Sequence, residues 1–258
     1  MNSPGWAEEM RILLLNPNTS ADITDLLARE ARAMVGEVEF VPATAAFGPR
    51  YIGSRVGAAI AGHAAVDAYA RAAEGGRPLD AVILACFGDP GLAALREIAP
   101  CPVIGMAEAA IHTAAQRGRR FALLTGGARW VPMLEEFVAA LGMADRLAAV
   151  RCVPQTGAEI AADPGRALPA LAELANRCAA EDRADVVVLG GAGLAGLAAR
   201  LAPSVRVPLV DSLAAAVGQA IALARAGGTA GTGQTVPPPV DSVGLSAALT
   251  CLVSGDRS

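Results

Sequence analysis

AVILACFGDPGL at residues 81–92 and VVVLGGAGLAGL at residues 186–197 decide how this chain folds. Each is a short apolar run that breaks at a glycine-rich turn and resumes as an apolar helix pattern. Such a unit reads as a buried strand leading into a helix, the building block of a parallel sheet. The second copy also carries Gly191, Gly193 and Gly196 at G-x-G-x-x-G spacing, with Asp211 twenty positions after Gly191. That is the arrangement of a dinucleotide-binding turn with an acid for a ribose hydroxyl.

Working outward, two more pairs keep the same order. RILLLNPNTS (11–20) is matched by RFALLTGGARW (120–130), and CPVIGMAEAAIHTAAQ (101–116) by VPLVDSLAAAVGQAIA (207–222), with Pro208 over Pro102. The near-constant offset marks an internal duplication. EVEFVPA (37–43) adds a further strand, and Thr19 or Ser20 stands where it can cap a helix starting near Ala21. The fold expected is α/β: two pseudo-symmetric lobes, each a parallel sheet flanked by helices. The first lobe spans about 11–110 and the second about 120–223. Residues 207–223 either close the second lobe or cross over to the first. Residues 1–9 and about 227–258 read as flexible or peripheral tails, with VGLSAALTCLVSG (243–255) either a helix that packs back or part of a disordered end.

The duplication reinterprets the glycines. A dinucleotide fingerprint belongs to the first βαβ unit of its domain. Here the glycines end an internal strand of the second lobe, and Asp211 falls over Gly105 of the first. They are better read as a tight turn that exposes backbone N–H groups at a helix start.

Composition limits the function. Hydrophobic residues make up 53% of 258 and aromatics 3%, so the core is built from Ala, Val, Leu and Ile. A net charge of −4 and the lack of a basic block beyond RGRR (117–120) argue against a nucleic-acid partner. No apolar run has the length of a membrane span. Five cysteines without C-x-x-C spacing, and only two histidines, argue against zinc and disulfides and for a reduced, cytoplasmic setting.

Among the cysteines, Cys86 stands apart, because it overlies Gly191 at the carboxyl end of its strand, where open α/β sheets bind ligands. A helix start nearby would stabilise its thiolate and bring its titration toward neutrality. Cys101, Cys152, Cys178 and Cys251 read as core thiols. His112 reads as a packing histidine, Asp89 as the cap of its own turn, and Glu108 as an early-helix acid. Arg129 and Trp130 either line a pocket mouth or cover a helix end.

These residues carry a resemblance. NPNTS (16–20), ACFGDPGL (85–92), PVIGMAEAAIH (102–112) and VVVLGGAGL (186–194) resemble the aspartate/glutamate/hydantoin racemase superfamily, and within it the hydantoin and allantoin racemase branch. The resemblance runs from about Arg11 to Leu223. It implies a cofactor-independent isomerase with its active site between the two lobes, acting on a small molecule, in which one cysteine per lobe faces opposite sides of a carbon next to a carbonyl. Carried over by position, Cys86 is the catalytic thiol of the first lobe. Asn16 is a substrate-contacting residue, with Thr125 at the equivalent turn. Phe87 and Gly88 on one side, and Gly191, Ala192 and Gly193 on the other, supply further substrate contacts. The second-lobe turn of the family has the form G-C-A-G, and here it reads Gly190-Gly191-Ala192-Gly193; in YIGSR (51–55), Gly53 replaces a usual acid. One thiol is therefore kept and its mate is absent. The expected activity is proton abstraction or delivery at a hydantoin-like cyclic amide or α-substituted acid, by a homo-oligomer. The alternatives are a single-thiol decarboxylase, in the manner of arylmalonate decarboxylases, and a binding protein without turnover.

Overall fold

The structure is a computed structural model that describes residues 10–74, 76–227 and 238–254. In the first half, β1 (Met10–Asn16), β2 (Val38–Thr44), β3 (Ala81–Leu84) and β4 (Val103–Gly105) form a parallel sheet in the order β2-β1-β3-β4. In the second, β5 (Phe121–Gly126), β6 (Leu147–Val153), β7 (Val186–Leu189) and β8 (Leu209–Asp211) repeat it as β6-β5-β7-β8. The two orders are the same once the numbering is shifted by four.

Each central strand is apolar throughout because both of its faces are covered. Ile12 and Leu14 point to one face of β1, and Leu13 and Leu15 to the other; all four are fully buried. Ile12 and Leu14 share one core with Ile83 and Ile104, and with Phe121, Leu123, Val188 and Val210 of the second sheet. The outward faces are served separately. Leu13 and Leu15 pack with Ala65 and Leu95 of α2 (Arg55–Ala73) and α3 (Leu92–Ile98). Leu124 and Val187 pack with Leu171, Leu197 and Leu201 of α7 (Pro164–Ala180) and α8 (Leu197–Leu201). The helices between are α4 (Met106–Arg117), α5 (Trp130–Ala140) and α6 (Gly157–Ala162).

What joins the halves is an exchange of helices. α4 follows β4 but lies against β5, β7 and β8 of the second sheet. α9 (Ser212–Arg225) follows β8 but lies against β3, β4 and α1 (Ala21–Met34) of the first. The two exchanged helices also pack on one another. Ala107, Ala110 and Ala114 on α4, with Ala216 and Ala220 on α9, are buried in the shared core, and side chains this small let helices and sheets approach closely. Residues 207–223 are thus divided: the strand stays with the second sheet, and the helix crosses to the first.

The described part of the C-terminal segment ends in a helix. α10 (Ala247–Ser254) sets Ala248 and Leu249 against Ala70 and Val66 of α2. The expectations for residues 1–9, 228–237 and 255–258 lie outside the described residues. Cys101 and Cys178 are buried, but Cys152 is half-buried and Cys251 exposed, so the core-thiol reading is corrected for these two.

Candidate active site

The carboxyl ends of both sheets meet at one cleft, and several backbone hydrogen bonds there repeat. Ala85 N–H donates to Leu15 O at 2.8 Å, and Gly190 N–H donates to Leu124 O at 2.9 Å. One residue further on, Asp89 N–H closes onto Cys86 O (3.2 Å) and Leu194 N–H onto Gly191 O (2.9 Å). Both turns then start a short helix from a left-handed glycine, Gly91 (φ +87°) and Gly196 (φ +79°). Cys86 and Gly191 therefore occupy the same place in the two lobes.

Between them lies a cavity of about 60 Å³. Cys86, Phe87, Thr125, Gly191, Ala192 and Gly193 all line it. Gly191 has φ +132°, a conformation that L side chains rarely adopt. A Cβ there would meet only Leu194 Cδ1 at 3.3 Å and Thr125 Oγ1 at 3.7 Å. A side chain there would need only the Leu194 side chain to give by a few tenths of an ångström, so the main obstacle is the backbone conformation. Gly191, Ala192 and Gly193 open a 3-10 turn, so their N–H groups are among those a helix start leaves without an internal partner.

Two expected contacts are corrected. Asn16 is fully buried and does not line the cavity. Its amide donates to Asn18 Oδ1 (3.1 Å), Ser20 O (3.1 Å) and Thr24 Oγ1 (3.0 Å), and its Oδ1 accepts from Asn18 N–H (3.2 Å). Asn16 braces the turn, and Asn18, two positions on, takes the cavity wall. Ser20 sits at the N-cap of α1 without a side-chain bond, its own N–H being held by Asn18 Oδ1 at 2.9 Å. Gly88 also stands off the cavity. A Cβ on Gly88 would lie 2.7 Å from the Trp130 ring, so its role is to seat that ring.

The aromatic walls cross between lobes, and Tyr51 is the one among them that local pattern did not reveal. Phe87 reaches over Gly190, where any Cβ would strike its ring. Trp130 reaches back over Gly88 and lines the cavity beside Tyr51. Tyr51 in turn donates to Gly126 O at 3.4 Å. Three of the chain's nine aromatic residues are gathered here. Their clustering in so aromatic-poor a chain was the available signal. Arg129 lies on an outer chamber beyond Tyr51.

The acids near the turns serve the helix starts. Asp89 is buried and accepts from Ala107 N–H (2.9 Å) and Glu108 N–H (2.8 Å), so it caps α4 and not its own turn. Burial pushes its carboxyl up to about 7, against the pull of those donors. Asp211 accepts from Gly196, Leu213 and Ala214 N–H at 2.7–3.1 Å. Its oxygens are thus taken up by the fold, which leaves the ribose reading without its acid. Glu108 pairs with Arg96 at 2.6 Å, and His112 is half-exposed on α4, away from the cavity. Burial, and then the charge of Asp89, raise the Cys86 thiol well above its ordinary range. This corrects the expectation of a thiolate near neutrality. Among the described residues no group of side chains could hold a metal ion, and no helix is long and apolar enough to cross a membrane.

This geometry has known counterparts. The hydantoin racemase of Paenarthrobacter aurescens is 36% identical over 209 residues, covering 80% of this chain and 88% of that one. The solved allantoin racemases of Pseudomonas fluorescens and Klebsiella pneumoniae superpose with TM-scores of 0.84 and 0.85. Their identities are 34% and 31%, covering 91% and 94% of this chain and 100% and 98% of theirs. The sequence model of the Asp/Glu/hydantoin racemase family matches residues 12–220, which span both turns and both sheets. With its duplicated sheets meeting at the Cys86 and Gly191 turns, the chain belongs to the Asp/Glu/hydantoin racemase family.

Proposed function

We propose that this chain is a cofactor-independent enzyme that exchanges the proton on a carbon next to a carbonyl in a small hydantoin- or allantoin-like cyclic amide. Cys86 is its acid and base. One observation carries the reading: a cysteine at the carboxyl end of one sheet shares a small cavity with the matching, side-chain-free turn of the other. Cys86, in the minor deprotonated form that its raised thiol allows, takes the proton on the face it meets, and the electron pair moves onto the carbonyl oxygen as an enolate. The N–H groups of Gly191, Ala192 and Gly193 are placed to hold that oxygen, and such donors are worth about 2.7–4 kcal/mol each in comparable sites. The proton then returns from the same sulfur. On the opposite face no side chain waits at Gly191, so inversion depends on a water near Thr125 Oγ1. A water gives up part of the roughly 10²–10⁴-fold that a placed acid provides.

In deuterated water, one enantiomer of a substituted hydantoin is therefore expected to gain deuterium faster than it loses optical rotation. NMR and polarimetry on the same sample measure the two rates. Equal rates would show a second acid, and no exchange in either enantiomer would remove the proton-exchange reading.

The elevated thiol favours a second reading, in which Cys86 rests protonated and acts first as an acid. A carboxylate on the substrate leaves as carbon dioxide, its C–C bond supplying the enolate. Cys86 then protonates that enolate on one face and regains its proton from water. Release of carbon dioxide from a small malonate by the unaltered protein distinguishes this reading from the first.

A further inference from the structure

We propose that the substrate carries an anionic arm, held between Arg50 at the edge of the inner cavity and Arg129 in an outer chamber that Tyr51 separates from it. The inference rests on the proton-exchange reading above and adds the charge of the substrate. The cavity beside Cys86 measures about 60 Å³, smaller than the ~150 Å³ apolar cavity that accepts benzene. It admits the reacting carbon and its carbonyl but not a whole substituted ring. Immediately outside lies a second space of about 370 Å³, lined by Ser54, Ala128, Arg129 and Thr156.

Tyr51 lines both spaces and is the partition between them. Its hydroxyl donates to the Gly126 carbonyl at 3.4 Å, and its ring is partly exposed. Turning the ring aside joins the chambers without moving a strand or helix.

The joined lining is one-sided in charge. It contains Arg50 and Arg129 but no Asp or Glu, in a chain whose acids outnumber its Lys and Arg by 25 to 21. Both arginines are exposed and make no ion pair among the described residues, whereas Arg55 close by in sequence pairs with Glu136 across the cleft. Glu159, whose charge reaches Tyr51, is occupied by the N–H and hydroxyl of Thr156 at 2.7 and 2.8 Å. Two unpaired guanidinium groups at the mouth of a site otherwise lined by apolar side chains, amides and hydroxyls fit a carboxylate, which they can bind through paired N–H donors.

The test uses two hydantoins of the same shape, one with a carboxyethyl arm and one with a carbamoylethyl arm. Calorimetric titration of the unaltered protein is expected to favour the carboxylate by about tenfold, the scale of one charge-assisted hydrogen bond. Arg129→Gln and Arg50→Gln are each expected to cut that preference severalfold. Arg119→Gln, which removes the same charge at the opposite end of β5, leaves it unchanged. Equal affinity for the two compounds, failure of both to bind, or a preference that survives both substitutions would overturn the proposal. Deuterium exchange is followed separately. A protein that prefers the carboxylate but exchanges no proton keeps the anion subsite and loses the proposed reaction.

Discussion

The turn after β3 and the turn after β7 have the same hydrogen-bonded frame and opposite contents. The first carries the thiol, and the second, at Gly191, carries nothing. The helix starts beside them differ in the same complementary way. In the first lobe Asp89, in the turn, reaches across to cap α4 at Gly105, and any Cβ on Gly105 would collide with its carboxylate. In the second lobe the position matching Gly105 is Asp211, which caps α9 directly and reaches back to Gly196 in the turn. The carboxylate is needed in both lobes because the leading N–H groups of a buried helix must find an acceptor. It is delivered from opposite ends of the same gap. The repeat therefore constrains the backbone and its capping, while the side chain facing the cavity was free to differ.

The largest effect is expected where the two turns differ in chemistry. Cys86→Ser is expected to lower hydantoin proton exchange by about 10²–10⁴-fold, the range of a positioned acid–base group. Its backbone environment is unchanged, so thermal stability should hold. Exchange that persists in this variant, measured by NMR in deuterated water, would mean that the lobes do not differ in the way proposed.

Gly191→Cys makes the turns alike and is expected to raise racemisation relative to exchange by about one to two orders of magnitude. The position has room for a Cβ, but its φ of +132° has to relax toward the backbone seen at Cys86. Held strained, such a residue costs about 1–3 kcal/mol, so a lower melting temperature should accompany the gain. Polarimetry that shows no gain in a folded variant would remove Gly191 as the vacant seat.

The smallest effect concerns capping. Asp89 has its carboxyl raised to about 7 in the folded protein, above the ~3.9 of an unfolded chain. The folded state thus binds its proton more tightly, and this contribution to stability, complete below pH ~4, is lost as pH rises through about 7. Urea midpoints of the unaltered protein should therefore fall relative to Asp89→Asn across that window. The opposite slope would mean that the N–H donors of Ala107 and Glu108 outweigh burial.

Much of this was legible because strand and turn signals are local. The apolar runs at 12–15, 81–84, 121–124 and 186–189 could be aligned from their order alone, and that alignment put Cys86 over Gly191. What escaped depends on distance in the chain. Tyr51 meets Gly126 across 75 residues, and Asp89 caps a helix 18 residues on, whose start looked self-sufficient. Asn16 and Asn18 are two residues apart in one turn, and only the inward lean of Asn16 toward Thr24 separates brace from wall. The direction of the Cys86 shift depends on how much water the closed lobes leave around the sulfur, which no motif records.

The exchanged helices have a consequence for the chain as it is made. β3 and β4 are complete by residue 105, yet α9, which covers them, ends at residue 225. A first half emerging alone from the ribosome keeps Ile83 and Ile104 without that cover until more than a hundred further residues have followed. At about 5–20 residues per second, that exposure lasts several seconds, long enough for an uncovered apolar sheet to find the wrong partner. Neither half is then a folding unit in its own right. Unfolding should be a single cooperative event that takes both lobes together, although the topology looks like two domains.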